Sequence, residues 1–248
     1  MKLASREHSI RSYYQVLHAA WGPQHWWPAR TRFEVIVGAY LTQNTSWSNV
    51  EIALRRLRRA HLLSLTAIRI VSVVELETAI RSSGYFRQKA ARLKTFVAFV
   101  DERYASSLSR MFAQPADKLR QELLALNGVG PETADSILLY AGQQPVFVVD
   151  AYTRRVLERH AILSAKASYE EIRKLFEHSL ADQAPLRTDN CDPRTDFAHP
   201  PSAMSLTRRS PLAQVYNDMH GLIVGVGKHY CLKSKPRCEE CPLRRFLP

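Results

Sequence analysis

Residues 124–155, LLALNGVGPETADSILLYAGQQPVFVVDAYTR, constrain this chain more than any other stretch. Two apolar helical segments flank a tight turn, Leu126-Asn127-Gly128-Val129-Gly130. Gly128 and Gly130 let the backbone double back and approach another group with no side chain intervening. Pro131 suits the first turn of the second helix, where its missing N–H costs nothing. The N–H groups at that helix start lack acceptors, which suits them to a phosphate oxygen. An apolar run, Val146-Phe147-Val148-Val149, then delivers a lone carboxylate, Asp150, twenty residues after Gly130. A packing corner at the glycines and a helix cap at Asp150 are the purely structural alternatives. Taken together, a phosphate-sized hairpin and a presented acid point to chemistry on nucleic acid.

The rest of the chain is consistent with that direction. Its 248 residues suffice for one large domain or two modest ones. Lys and Arg number 35 against 23 Asp and Glu, a formal charge of +12 that favours an anionic partner. Nucleic acid comes first and an acidic membrane surface second, although no separate polybasic anchor is evident. No signal peptide or stretch of about 18 apolar residues is visible, so a cytoplasmic location with reduced or metal-bound cysteines is expected.

Apolar positions recur with helical spacing almost throughout, predicting an all-α chain. Helices are expected over 5–20, 32–43, 48–60, 73–82, 87–103, 117–125, 131–141, 151–160, 168–179 and 212–227. In the basic helix 48–60, Val50, Leu54 and Leu57 face inward while Arg55, Arg56, Arg58 and Arg59 face mostly outward. Residues 182–211 hold five of the 13 prolines and little periodic apolar content, and read as an irregular insertion without a legible role.

The LNGVGPETA pattern followed by VVDAYTRR resembles the helix-hairpin-helix DNA glycosylases, the endonuclease III superfamily. The similarity covers roughly residues 10–180 and 212–243. It implies a two-lobed fold: a six-helix bundle over 30–145, and a second lobe of 1–29 plus 146–248 with a C-terminal cysteine loop. It also implies that Gly128, Val129, Gly130 and Thr133 bind DNA and that Asp150 is the catalytic aspartate. Bifunctional members carry a lysine two residues after the hairpin's second glycine, and here that residue is Glu132. A glutamate cannot form a Schiff base, so water is the expected nucleophile. Glu132 is equally suited to lining the base pocket or to the first turn of its helix.

Two further blocks extend the resemblance. Gln43 falls where a polar side chain fills the gap left by a flipped nucleotide, and Tyr85 matches the wedge on the opposite strand. Trp26-Trp27-Pro28 with Thr42-Gln43-Asn44-Thr45-Ser46-Trp47 is similar to the 3-methyladenine glycosylase branch, which makes Trp26, Trp27 and Trp47 candidates for the base pocket. A methylated purine is cationic, and a ring face attracts a cation by about 0.5–2 kcal/mol. Core packing is the competing role for these tryptophans.

The C-terminus reads Cys231-x6-Cys238-x2-Cys241, matching three positions of the family's 4Fe-4S loop. The fourth position is Leu247. Cys191 in the insertion, a non-protein ligand, or loss of the cluster would each account for that departure, and zinc is an alternative metal. An intact loop would present Lys233, Lys235 and Arg237 to phosphates.

The resemblance thus implies a monomeric, nucleoid-associated, monofunctional DNA glycosylase of base excision repair. It would act on double-stranded DNA and remove alkylated bases of the 3-methyladenine type. The alternatives are a glycosylase for other lesions, a glycosylase/AP lyase of endonuclease III type for oxidised or mismatched bases, and a non-catalytic DNA-binding module.

Overall fold

Helix α2 (Arg32–Leu41) has no polar face, and such a helix has to be wrapped on all sides. The computed structural model, which describes residues 3–186 and 199–248, buries every residue from Phe33 to Leu41. The Thr31 hydroxyl caps the helix by accepting from the Glu34 N–H at 3.1 Å. Glu34 is a buried carboxylate and needs a partner. It has one in Arg58, on α3 (Trp47–Arg59). Around this pair α3 follows its pattern, with Val50, Ala53, Leu54 and Leu57 buried and Arg55, Arg56 and Arg59 exposed.

The chain continues through α4 (Leu65–Ile70), α5 (Val73–Ile80), α6 (Phe86–Tyr104), α7 (Leu108–Phe112), α8 (Ala116–Leu124) and α9 (Pro131–Ser136). Helix α6 packs on α2, α4, α5 and α7 through Leu93, Phe96, Val97 and Val100. Helices α2 to α9 form one structural unit, Ala29–Gly142. Its last helix was expected as a single run over 131–141. It is α-helical through Ser136 and then widens to a π-turn over Ile137–Ala141, where the Gly142 N–H donates to the Ile137 carbonyl at 2.9 Å.

The other unit joins the segment through Pro28 to everything from Gln143 onward. Its helices are α1 (Leu3–Trp21), α10 (Ala151–Arg159), α11 (Tyr169–Leu180) and α12 (Pro211–His229). Helices α1, α10 and α11 each pack on α12, which buries every residue from Val215 to Gly227. The apolar run before Asp150 is neither helix nor strand. Phe147 stacks on Phe176 of α11 with ring centroids 4.2 Å apart. The backbone N–H groups of Phe147 and Val149 donate to Glu177 Oε1 at 3.0 Å and to the Tyr169 hydroxyl at 3.3 Å. Side chains thus supply the acceptors that a sheet would otherwise provide.

The fold is all-α, and no strand occurs among the described residues. Two short helices, α4 and α7, were not anticipated. Part of the insertion predicted over 182–211, including Cys191, lies outside the described residues. Its remainder through Ser210 is irregular, and α12 begins at Pro211. Among the described residues no helix is long and apolar enough to cross a membrane.

Candidate functional site

The glycine hairpin is braced from below by two side chains. Gly128 has φ +78°, a left-handed conformation natural to glycine. A Cβ there would come within 2.0 Å of Arg92 Nε, because the guanidinium lies directly beneath the turn. Gln43, just past the end of α2, donates from Nε2 to the Gly128 carbonyl at 3.0 Å and to the Thr133 hydroxyl at 2.9 Å. Arg92 Nη1 donates to Gln43 Oε1 at 2.8 Å. The turn closes with the Val129 N–H donating to the Leu126 carbonyl at 3.1 Å, and Val129 itself is buried. Gly130 precedes Pro131 with no side-chain cap on the helix start. Substituting Gly128 with alanine combines about 1–2 kcal/mol of left-handed strain with displacement of Arg92. Denaturant melts are expected to show that loss, and DNA affinity is expected to fall with it.

The two helices of the hairpin are bolted together. Arg120 on α8 donates from Nε and Nη2 to Asp135 Oδ1 and Oδ2 on α9, at 2.6 and 3.1 Å. Asp135 is fully buried and Arg120 nearly so. Elsewhere in this unit Tyr85 is 65% exposed with φ +46°, at the start of α6. Trp47 is half-buried and donates from Nε1 to Glu51 at 3.0 Å. Glu132 is exposed in the first turn of α9.

Asp150 belongs to the other unit, at the N-cap of α10. Its Oδ1 accepts from the Thr153 N–H at 2.7 Å and from the Thr153 hydroxyl at 2.9 Å. Capping therefore uses one oxygen and fixes the plane of the carboxylate. The second oxygen, Oδ2, lies 3.7 Å from His220 Nε2. His220 is buried on α12, and burial lowers its pKa against the opposing pull of Asp150. That lowering disfavours the imidazolium beside Oδ2.

Trp26 and Trp27 share this unit with Asp150, whereas Trp47 and Glu132 share the hairpin's. Trp26 is 7% exposed and Trp27 5%. The Trp26 ring lies 6.3 Å from His220 and 5.3 Å from His199. A Cβ on Gly221 would stand 3.1 Å from that of Trp26, so a small residue on α12 is needed for the tryptophan to seat. Lys228 Nζ stands 5.5 Å from the Trp26 ring centre, a cation already on an aromatic face. Residues 199–205, read from sequence as part of an insertion without a role, pack on the two tryptophans. His199 N–H donates to the Gln24 carbonyl at 3.3 Å, and the Ser202 hydroxyl to the Trp27 carbonyl at 3.3 Å.

Cys231, Cys238 and Cys241 line one cavity of about 20 Å³ together with Arg159, Arg244 and Leu247. Burial and then the two neighbouring sulfurs push the Cys241 thiol up. Arg159 Nη1 donates to Cys231 Sγ at 3.3 Å. Among the described residues, no three His, Cys, Asp or Glu side chains are gathered at metal-holding separation. Leu247 reaches the cavity but brings no donor atom. Lys233, Lys235 and Arg237 are exposed, with Arg237 paired to Glu240.

Residues 37–181 match the family described as HhH-GPD superfamily base excision DNA repair protein, and the chain belongs to that superfamily. It is a base excision DNA repair glycosylase of endonuclease III-like type. Among its relatives, a Methanocaldococcus jannaschii protein described as a DNA repair glycosylase is 40% identical over 239 residues, 96% of this chain and 94% of that one. Among solved structures, the H. pylori 3-methyladenine DNA glycosylase bound to 1,N6-ethenoadenine is 26% identical. It covers 92% of this chain and 98% of its own, with a TM-score of 0.67. An endonuclease III–DNA covalent intermediate, at 21% identity and covering 100% and 96% of the two chains, shares the fold with a TM-score of 0.70.

Proposed function

We propose that the protein is a monofunctional glycosylase that hydrolyses the N-glycosidic bond of an alkylated base of the 3-methyladenine type in duplex DNA. The observation that carries this reading is the carboxylate of Asp150, with one oxygen held by Thr153 and the other 3.7 Å from the buried His220. Departure of a base builds positive charge on the sugar. A carboxylate fixed in this way stabilises that charge and helps orient or deprotonate the attacking water. Glu132 stands where the bifunctional pattern has its lysine, which supports hydrolysis over Schiff-base chemistry. An alkylated purine already leaves readily, so the enzyme's task is selection more than acid catalysis.

In this reading the hairpin of Gly128, Val129, Gly130 and Thr133 holds a DNA phosphate, while Gln43 and Tyr85 occupy the space vacated by the flipped nucleotide. By resemblance, Trp26, Trp27, Trp47 and Glu132 are proposed as contacts to the base. The likeness to a 3-methyladenine glycosylase across 92% of the chain supports the choice of lesion. Base release from a panel of duplexes carrying methylated, oxidised, deaminated or mismatched bases tests it. Release is expected from the methylated duplex first, and a preference for an oxidised or mismatched base would overturn the assignment.

By resemblance, Cys231, Cys238 and Cys241 would be three ligands of a 4Fe-4S cluster; they line one cavity of about 20 Å³, but among the described residues they are not gathered at metal-holding separation. The cluster would stiffen the loop that carries Lys233, Lys235 and Arg237 and takes no part in bond cleavage. Purified protein is expected to be brown, with about four irons per chain as the cluster type requires. Colourless, iron-free protein would exclude the cluster.

A further inference from the structure

Helix α6 sends two cations into the loops that carry Gln43, Tyr85 and the hairpin. Lys89 is 1% exposed, and its Nζ donates to the Leu41 carbonyl at 2.9 Å and the Ser83 carbonyl at 2.6 Å. Leu41 ends α2 two residues before Gln43, and Ser83 lies two residues before Tyr85. The last carbonyls of a helix have no partner within it, so an ammonium there answers an open acceptor. Such a buried cation is costly to fold around. Burial pushes its pKa down to about 8, with Arg92 adding repulsion.

Arg92 lies three residues further along α6, half-buried beneath Gly128. A primary amide turned end for end exchanges donor and acceptor. Gln43 has a donor, Arg92, on its oxygen and two acceptors, the Gly128 carbonyl and Thr133 hydroxyl, facing its nitrogen. Only one orientation satisfies all three contacts. Without Arg92 the oxygen would lose that charged donor and the side chain would regain rotamer freedom. Ordering such a side chain on binding costs affinity.

We propose that Arg92 is a positioning residue that sets the Gln43 amide against the glycine hairpin, so that Gln43 is oriented before DNA arrives. The inference rests on the reading that Gln43 fills the vacated stack, and it adds the residue that prepares it. Arg92 acts through Gln43 and makes no contact with the reacting atoms.

A double-mutant cycle on Gln43→Ala and Arg92→Met tests this with a duplex that needs no knowledge of the lesion. One duplex carries a tetrahydrofuran abasic site beside 2-aminopurine, and the other is intact. Affinity for each, and 2-aminopurine fluorescence as the gap is filled, are measured alongside thermal melting. Arg92→Met is expected to lower the preference for the abasic duplex about tenfold, the size of one well-coupled contact. Gln43→Ala should do the same, and the double variant should be no worse than Gln43→Ala alone. If Gln43→Ala keeps its preference and its fluorescence response, the reading of Gln43 fails and this inference falls with it. If Gln43→Ala loses them while Arg92→Met keeps them, only the inference is overturned. Additive losses in the double variant would also overturn it. So would an equal loss on both duplexes, which would mark Arg92 as a phosphate contact.

Discussion

Replacing Asp150 with asparagine is expected to reduce base release by about 10²–10⁴-fold, the range of a positioned acid–base group, while the fold and DNA affinity persist. Asparagine caps helices about as well as aspartate. Its side-chain oxygen can still accept from the Thr153 N–H and hydroxyl that hold Asp150 Oδ1. The Oδ2 charge is lost, and His220 gains a neutral neighbour in its place. The comparison therefore separates the two roles this residue combines. Asp150→Ala removes both and should cost about 1 kcal/mol of stability from the missing cap in addition. Single-turnover base release and urea melts of both variants check the outcome. An Asp150→Asn protein that releases base at the unaltered rate would reduce the residue to a cap.

The second large effect is expected at the bolt between α8 and α9. Arg120→Ala leaves Asp135, which is fully buried, without its bidentate guanidinium partner. Breaking a buried pair from one side costs about 3–5 kcal/mol, a large part of the roughly 5–15 kcal/mol that holds a typical domain together. The loss falls on the two helices whose junction is the hairpin, so DNA affinity should drop before global unfolding is complete. Replacing both partners with apolar residues, Arg120→Met with Asp135→Leu, should cost less than Arg120→Ala alone, because the buried carboxylate is removed together with its guanidinium. Urea melts of the single and double variants would show this directly. An Arg120→Ala chain as stable as the wild type would remove the pair from the account of how the hairpin is held.

Which parts of this arrangement were visible in the sequence follows from physical range. Long helices announce themselves because burial on one face imposes a 3.6-residue rhythm, and α1, α3 and α6 follow it. Helices α4 and α7 span six and five residues, too few for a period to emerge, and α4 buries only Ile68. Their one local signal was a serine cap, Ser64 and Ser107, each accepting from a backbone N–H near the helix start. Gly128 was legible because its left-handed backbone selects glycine itself, whereas Gly130, expected to be needed for the same turn, is extended at φ −91° and a Cβ there would meet open space. Arg92 was not, since its role depends on Gln43, forty-nine positions away, and on the turn above it. The ion pairs Glu34–Arg58 and Arg120–Asp135 were hidden for the same reason.

The tryptophan block shows the limit from the other side. Sequence placed Trp26, Trp27 and Trp47 together by family likeness, while core packing was the competing role. The fold puts Trp26 and Trp27 with Asp150 and leaves Trp47 beside Glu51 in the other unit. It also brings His199 and Ser202, from a segment with no periodic signal, onto the tryptophan pair, and Lys228 onto the face of Trp26. None of these contacts is local, so no spacing in the chain could have announced them.

The most direct test of the central claim is single-turnover reaction with a duplex carrying one methylated purine, with and without sodium borohydride. Free base should appear, the strand should stay intact until heat or alkali cleaves the abasic site, and no protein should become attached to DNA. A borohydride-trapped protein–DNA adduct would show an amine nucleophile, and DNA binding with no base ever released would show no catalysis; either would contradict hydrolysis assisted by Asp150.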